Sequence, residues 1–230
     1  MPPAKSAKST TAEAARILLV DDHPMVRERL AEVIVREADL TVCGEAEDRL
    51  GALDLIARLR PDLVIIDLTL KQSHGIELIK DIHNQHPGTL MLVVSMHDEQ
   101  LHAERVIRAG AKGYITKQEA TRKILLAIRT VLSGEIYLSE KMAARVATRA
   151  LAGARAKNAS IMDKLSDREL CVFEMIGQGH GTRQIAEQLH LDMRTVETYR
   201  ARIKDKLNLK DANDLVHFAI HWVQSGDGPQ

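Results

Sequence analysis

The sequence has no excess charge of either sign and no long apolar stretch. Lysine plus arginine and aspartate plus glutamate number 32 each, so the formal net charge is zero. A neutral chain has no overall electrostatic attraction to nucleic acid or membranes, so any attraction must come from local clusters. No apolar run approaches the roughly 20 residues that a membrane-spanning helix needs. We therefore expect a cytoplasmic protein with no membrane partner.

Cysteine is also scarce. The two cysteines, Cys43 and Cys171, lie far apart, each within an apolar run. Two single thiols are typical of a reducing compartment, and they argue against a structural disulfide. The first fifteen residues contain basic residues, proline, serine, threonine and alanine, but no apolar segment. We interpret residues 1–15 as a disordered tail rather than a secretory signal.

From residue 16 onward, short apolar runs alternate with helical patterns. Five runs have the length and composition of buried strands, at residues 17–20, 40–43, 63–66, 90–94 and 113–115. Helical patterns fill the intervals, near 26–34, 53–59, 76–86, 99–109 and 119–132. This alternation predicts an α/β fold with a doubly wound, five-stranded parallel sheet. The 230 residues leave room for a second domain.

Polar residues collect where three of these runs end. Asp21 and Asp22 follow the first, Asp67 follows the third and Ser95 the fourth. The carboxyl ends of strands form the ligand-binding edge of an open α/β sheet, so we expect these side chains to lie together. Three carboxylates suit Mg²⁺, and Asp67 is the candidate nucleophile towards a phosphoryl group. Ser95 can donate a hydrogen bond to a phosphoryl oxygen, and Lys117 adds a positive charge.

Two enzyme classes share part of this pattern but fit it poorly. Phosphatases of the haloacid dehalogenase type need a second aspartate two residues after the nucleophile, where this chain has Thr69. A flavodoxin needs a phosphate-cradling loop after the first strand, whereas the loop here is DDHP, whose carboxylates repel phosphate without a metal. We therefore expect no enzyme activity beyond Mg²⁺-dependent self-phosphorylation and self-dephosphorylation at Asp67.

The composition changes after residue 140. Residues 141–160 are rich in alanine and basic residues and contain no acidic residue. We interpret residues 135–160 as a linker that is helical at first and flexible after Gly153. Patterns from residue 165 onward are helical, which predicts a small all-α domain over 161–224, followed by a tail at 225–230.

The last long helical pattern has two different faces. Val196, Tyr199, Ile203 and Leu207 lie on one side at helical spacing. The opposite side carries short and polar residues between basic edges: Glu197, Thr198, Ala201 and Lys204, flanked by Arg200 and Arg202. A helix in the major groove places short side chains at base edges and arginines at phosphates, so this pattern favours DNA binding.

The acidic motifs together resemble a known family. LLVDDHPMVR, DLVIIDLTL followed by Gly75, VVSMHDE and AGAKGYITK resemble the receiver domains of NarL/FixJ-class response regulators over residues 16–134. The resemblance implies a flavodoxin-like fold and a sensor histidine kinase as partner. It further implies the following roles: Asp67 as phosphoacceptor; Asp21, Asp22, Asp67 and the backbone carbonyl of Thr69 as Mg²⁺ ligands; Ser95 and Tyr114 as the switch pair; and Lys117 as a phosphate contact. Lys71 departs from the proline that many receivers have there, which bears on the conformation of this loop.

The segment LSDRELCVFEMIGQGHGTRQIAEQLHLDMRTVETYRARIKDKLNL resembles the LuxR-type DNA-binding domain. The resemblance implies a supporting helix at 182–188 and a recognition helix at 195–207. The DNA contacts it implies are Thr182, Arg194, Thr195, Glu197, Thr198, Arg200, Ala201, Arg202 and Lys204. Glu197 replaces a frequent lysine and can accept a hydrogen bond from cytosine. We expect a transcription factor that binds an inverted repeat in double-stranded DNA as a homodimer on phosphorylation.

Other interpretations stay open at this point. The helical domain could dock on protein, which would make the chain a phosphorylation-dependent protein-interaction module. His217 and His221 have metal-ligand spacing on a helix, but no third ligand is visible, so we favour a packed or dimer-forming last helix. Gly177, Gly179 and Gly181 follow a helix rather than a strand, so we interpret them as a turn and not as a dinucleotide-binding loop.

Overall fold

The computed structural model describes residues 14–71, 73–152 and 164–225. The predicted disordered tail falls outside them up to residue 13, and so do residues 153–160 of the predicted linker and residues 226–230. Residue 15 was placed in the tail by the sequence, but in the structure it begins the first strand. None of the described helices has the length and apolar character needed to cross a membrane.

An N-terminal α/β unit contains the parallel sheet. Its elements, in chain order, are β1 (Ala15–Val20), α1 (Pro24–Ile34), β2 (Leu40–Ala46), α2 (Arg49–Leu59), β3 (Leu63–Ile66), β4 (Thr69–Leu70), β5 (Ser73–His74), α3 (Gly75–Gln85), β6 (Leu90–Ser95), α4 (Glu99–Ala109), β7 (Gly113–Thr116) and α5 (Lys117–Leu132). The parallel sheet has the order β2-β1-β3-β6-β7. The predicted five-stranded, doubly wound sheet is confirmed. The order reverses at β1 and β3, where such folds bind their ligands.

Each face of the sheet packs against a separate apolar layer. Val20, Ile66 and Val93 face the layer under α2, α3 and α4, whereas Leu19, Ile65 and Leu92 face the layer under α1 and α5. The strands are apolar on both faces because helices cover both, which is why they read as continuous apolar runs in the sequence. The sheet is thus a rigid support for the polar residues at its carboxyl edge.

The sequence did not predict β4 and β5, which form a two-stranded antiparallel ribbon directly after Asp67. Gly75 follows the ribbon, and its α-carbon lies so close to the backbone of Asp67 that an added Cβ would sit 2.2 Å from the Asp67 carbonyl oxygen. A residue with a side chain would therefore push the Asp67 loop away. The ribbon also positions His74, which caps α3 by accepting from the Ile76 N–H at 3.2 Å.

A C-terminal helical unit contains α7 (Asp167–Gly177), α8 (Thr182–Gln188), α9 (Met193–Leu207) and α10 (Ala212–Ser225). The helix α9 begins two residues before the predicted residue 195. The core of the helical unit includes Phe173, Ile185, Val196 and Ile203. The interpretation of Gly177 as part of a turn was wrong, because Gly177 is the last residue of α7. An added Cβ at Gly177 would lie 2.5 Å from the Ala219 carbonyl oxygen of α10.

One helix and one interface connect the two units. The helix α6 (Glu140–Ala152) lies between the two units in the chain and packs on α4. The helical unit lies against α3, α4 and the loop after β6, mainly through α7, and Leu101 of α4 packs on the apolar core of the helical unit. Arg105 of α4 donates to Asp167 at 2.9 Å and to the Leu165 carbonyl at 2.9 Å. The described chain is therefore in a closed arrangement.

Candidate functional site

The acidic residues predicted from the sequence meet at the carboxyl edge of the sheet. Carboxylate oxygens of Asp21, Asp22 and Asp67, with a ring nitrogen of His23, all lie within 4.8 Å of one another. Asp21 and Asp22 lie in the loop after β1, and Asp67 directly after β3. These loops meet because β1 and β3 are neighbours in the sheet. The carboxylates are brought together by the topology rather than by proximity in the chain.

Lys117 is the cation of this site. Its Nζ lies 2.8 Å from Asp67 Oδ2 and 2.7 Å from Asp21 Oδ2. Burial lowers the pKa of Lys117, but Asp67 and Asp21 outweigh burial and raise it above the ordinary value, so the amine stays charged. Burial raises the pKa of Asp67 above its usual range, against the opposing effect of Lys117. The second oxygen, Asp67 Oδ1, is buried and has no hydrogen-bond partner among the residues that the structure describes.

This unpartnered oxygen fits a bound cation. A buried carboxylate oxygen without a partner carries an energetic cost that a hard metal ion removes. The oxygens around it belong to carboxylates, the ligands that Mg²⁺ prefers. Thr69 begins β4 two residues after Asp67, with its hydroxyl 3.2 Å from His97 Nε2. The residues present thus fit a magnesium ion at this edge.

Ser95 and Tyr114 meet at the backbone of a third residue, His97. The His97 N–H donates to Ser95 Oγ at 3.3 Å, and the Tyr114 hydroxyl donates to the His97 carbonyl at 2.9 Å. Tyr114 is fully buried and turned inward, and burial raises its pKa well above the ordinary value, so it stays a neutral donor. The predicted switch pair therefore holds the loop after β6 from both sides.

The helical unit reaches into the acidic site. His190, in the turn between α8 and α9, lies 2.8 Å from Asp22 Oδ2 through its Nε2. His23 contacts the same carboxylate, with its Nδ1 2.6 Å from Asp22 Oδ1. A cavity of about 560 Å³ lies between Asp67 and the helical unit, with Leu189 and His190 among its lining residues. Asp67 therefore faces the helical unit across a narrow space.

The helices α8 and α9 form a helix-turn-helix. The predicted face of α9 is open to solvent at Arg194, Glu197, Thr198, Ala201 and Arg202, whereas Thr182, Thr195, Arg200 and Lys204 are half-buried. The apolar face packs inward, with Val196 and Ile203 fully buried. The division into two faces that the sequence predicted is thus present, and the polar face points away from the helical core.

Glu197 connects the two helices of this motif. Its carboxylate accepts a hydrogen bond from the Thr182 hydroxyl at 2.6 Å, and Arg200 Nε lies 3.9 Å from it. Arg200 is only 16% exposed. Arg200 is therefore partly engaged within the unit, and among the two flanking arginines Arg202 is the more accessible to a phosphate.

A second polar cluster, which the sequence analysis missed, lies between the two units. This interface cluster consists of His74, His97 and His102 from the α/β unit and Cys171 and Glu174 from α7, all of them buried. Glu174 Oε2 lies 2.6 Å from His97 Nδ1 and 3.0 Å from His102 Nε2, and Glu174 Oε1 accepts from the Asp98 N–H at 2.8 Å. His74 Nε2 lies 3.1 Å from Cys171 Sγ.

The charges in the interface cluster depend on each other. Burial opposes the ionised form of Glu174, yet hydrogen bonds from His102 and His97 keep its pKa far below the usual range. Burial lowers the pKa of His97, but Cys171 and Glu174 raise it well above normal overall.

The sequence held one signal for this cluster, which is the three-residue spacing of Cys171 and Glu174 on a helix. The histidines of the cluster could not be assigned to it from the sequence, because no local pattern relates them to α7 residues more than 60 positions away.

A five-stranded parallel sheet with a buried aspartate cluster at its carboxyl edge, joined to a helix-turn-helix, defines a two-domain regulator. Residues 17–129 match the family described as response regulator receiver domain. Residues 163–219 match bacterial regulatory proteins, luxR family. The chain is 32% identical over 209 residues to the oxygen regulatory protein NreC of Staphylococcus aureus, covering 89% of this chain and 96% of that protein.

Solved structures agree with this fold. A LuxR-family two-component response regulator from Aurantimonas sp. SI85-9A1 is 35% identical, with a TM-score of 0.56, and covers 60% of this chain and 99% of its own. The RcsB response regulator of Salmonella typhimurium is 21% identical, with a TM-score of 0.63, and covers 91% of this chain and 98% of its own. This protein belongs to the response regulators that join a receiver domain to a LuxR-type DNA-binding domain. It is a transcription factor of a two-component system.

Proposed function

We propose that Asp67 is the phosphoacceptor, that a sensor histidine kinase is its phosphodonor, and that phosphorylation controls DNA binding. The observation that supports this most directly is the Asp67 carboxylate. One of its oxygens is hydrogen-bonded to Lys117, and the other is buried without a partner in the described part of the chain, with Asp67 lining a cavity. In the transfer, an Asp67 oxygen forms a bond to phosphorus while the nitrogen–phosphorus bond of the kinase phosphohistidine breaks. Lys117 stabilises the added negative charge.

Asp21, Asp22, Asp67 and the Thr69 carbonyl are the proposed ligands of Mg²⁺. When bound, the ion neutralises negative charge on the phosphoryl oxygens. Lys117 lies between Asp21 and Asp67 and offsets part of their mutual repulsion. His190 is hydrogen-bonded to Asp22, so the helical unit is in contact with a proposed ligand. Occupation of the acidic site and closure of the two units thus involve the same carboxylate.

The control of DNA binding acts through His97 in this proposal. In the structure, the Ser95 hydroxyl accepts a hydrogen bond from the His97 N–H. If this hydroxyl turns to the phosphoryl group, that hydrogen bond is lost. The His97 ring holds Glu174 of α7, so a shift of this loop weakens the attachment of the helical unit. The exposed residues among the proposed DNA contacts on α9 are not covered by the receiver, so in this proposal attachment acts on the orientation and pairing of the helical units. Freed units pair as a homodimer on an inverted repeat in DNA.

The phosphorylation step is tested with acetyl phosphate, in which the acyl oxygen–phosphorus bond breaks and acetate leaves. We expect Phos-tag electrophoresis to show one phosphorylated species for wild type, only when Mg²⁺ is present, and none for Asp67→Asn. The control is Asp54→Asn, an exposed aspartate on α2, which should be phosphorylated like wild type. Equal phosphorylation of wild type and Asp67→Asn would contradict the assignment of Asp67.

A further inference from the structure

The interface cluster contains the ligand types of a transition-metal site. One ring nitrogen each of His97 and His102 and the Cys171 sulfur all lie within 4.8 Å of one another. Imidazole and thiolate are the ligands that zinc takes in proteins. Zn–N distances of ~2.0–2.1 Å and Zn–S distances of ~2.3 Å place the ligand atoms of a tetrahedral site roughly 3.3–3.8 Å apart. Small side-chain movements therefore suffice to bring these three residues to one ion.

A second observation indicates that a ligand is expected here. His102 is fully buried, and its Nδ1 has no hydrogen-bond partner among the described residues. A buried polar atom without a partner is costly and needs an explanation, such as an ion. The other nitrogen of this ring lies 3.0 Å from Glu174 Oε2. A histidine with one nitrogen on a carboxylate and the other unpartnered has the arrangement found beside bound metal ions, in which the carboxylate orients the ring.

The residues around the three ligands support an anionic sulfur. The His74 Nδ1 accepts from the Ile76 N–H, so the proton of the neutral ring is on Nε2, which donates to Cys171 Sγ at 3.1 Å. Hydrogen bonds to a ligating sulfur are typical of the surroundings of metal sites. Zn²⁺ that displaces a proton from His97, together with one thiolate, the Glu174 carboxylate and neutral histidines, gives a site of zero net charge, which suits full burial.

We propose that the interface cluster is a zinc site, with His97, His102 and Cys171 as ligands, that fastens the DNA-binding domain to the receiver. His97 and His102 belong to the receiver, whereas Cys171 belongs to α7 of the DNA-binding domain. A bound ion therefore joins the two units and stabilises the closed arrangement. Because the ligands are buried, zinc enters and leaves only when the units separate. Zinc availability then becomes a second input to this regulator, which acts on the same interface as the proposed phosphorylation of Asp67.

Zinc binding is tested on the full chain with excess Mg²⁺ to occupy the acidic cluster and a non-thiol reductant to keep both cysteines reduced. We expect one zinc per chain in a chelator competition titration. The variants His102→Gln and Cys171→Ser should bind at least about 100-fold more weakly, and His74→Gln about 10–100-fold more weakly. His217→Gln, at an exposed histidine of α10, and Cys43→Ser should bind like wild type. Absence of binding, or loss of binding only in His217→Gln, would overturn the proposal.

Two readouts keep the test decisive if a cluster variant does not fold. Co²⁺ bound to wild type should show a sulfur-to-cobalt charge-transfer band, and its absence would exclude Cys171 as a ligand. In the Cys43→Ser background Cys171 is the only thiol, so its alkylation rate reports on opening of the interface. We expect zinc to slow this alkylation more than 10-fold. In the double variant Cys43→Ser with His102→Gln, zinc should leave the alkylation rate unchanged. An alkylation rate that zinc does not change would overturn the role in fastening the domains.

Discussion

At the residue scale, His97 is the point where the proposed phosphoacceptor site and the DNA-binding domain meet. Its backbone is bonded to Ser95 and Tyr114, and its ring lies between Thr69 and Glu174. The motif VVSMHDE predicted Ser95 as a phosphate contact, but it predicted no function for His97, two positions later. That role depends on α7, whose position relative to the receiver has no signature in the local sequence.

Arg202 is the residue whose contribution to DNA binding is simplest to predict. It is exposed at the edge of the proposed DNA-facing surface of α9, where a bound duplex would place its phosphates. We expect Arg202→Ala to weaken binding to all duplexes alike and to reduce the salt-dependence slope by about one, because one phosphate contact is lost. Fluorescence anisotropy at several salt concentrations measures both quantities. Arg58→Ala, at an exposed arginine of α2, is the control that should change neither. A change in preference between sequences would contradict a phosphate contact.

At the scale of elements, α7 has three functions. Ser166 and Glu169 form a capping box at its start, in which the Ser166 N–H donates to Glu169 Oε2 at 2.7 Å. Glu169 also pairs with Lys206 of α9, whose Nζ lies 2.6 Å away. Its other face carries Cys171 and Glu174 to the receiver. The same helix therefore starts the helical core, fixes the recognition helix and attaches the domain.

The Glu169 pair predicts a dependence of domain stability on pH. Burial raises the pKa of Glu169, but Lys206 and Ser166 lower it below the ordinary value overall. A carboxylate with a lowered folded-state pKa stabilises the fold above its unfolded pKa of about 4.3, and this stabilisation is lost as the pH falls through the folded pKa. We expect wild type to lose more stability than Glu169→Gln between about pH 5 and pH 3.

Trp222 reports on this domain, since it is the only tryptophan and is buried against Phe173, with ring centroids 6.2 Å apart. Urea unfolding followed by its fluorescence measures the stability at each pH. Glu187→Gln, which removes an exposed glutamate of α8, is the control and should follow wild type. Parallel pH profiles for wild type and Glu169→Gln would mean that the Glu169 pair does not stabilise the domain.

The parts of the fold with a strong local signal were predictable, and those set by packing were not. Buried parallel strands appear as apolar runs, so β1, β3 and β6 and the polar residues at their carboxyl ends were located from the sequence. The ribbon β4–β5 was missed because strands of two residues have no periodicity to detect. Glu174 was missed because a glutamate on an amphipathic helix normally faces solvent, and only the docked receiver buries it.

At the scale of the whole molecule, two sites share one interface. The acidic cluster touches the DNA-binding domain through His190, and the interface cluster touches it through Glu174. The proposed DNA contacts Arg194, Glu197, Thr198, Ala201 and Arg202 on α9 are exposed, so closure does not cover them. A single helix makes few base contacts, each worth ~1–3 kcal/mol of discrimination, so pairing of two domains is what raises selectivity. In the proposed function, closure therefore limits activity by preventing the paired arrangement.

Analytical ultracentrifugation at micromolar concentration, with Mg²⁺ and with or without beryllofluoride as a phosphoryl mimic, tests this account most directly, because it reports mass and shape together. Chelator removes zinc beforehand. Wild type should change from a compact monomer to a dimer when beryllofluoride is added, and Asp67→Asn should remain a compact monomer. Glu174→Gln, which lacks the charge that holds His97 and His102, should sediment as a more extended particle without the mimic. The same mass and the same frictional ratio for wild type in both states would contradict the claim that phosphorylation opens and pairs the molecule.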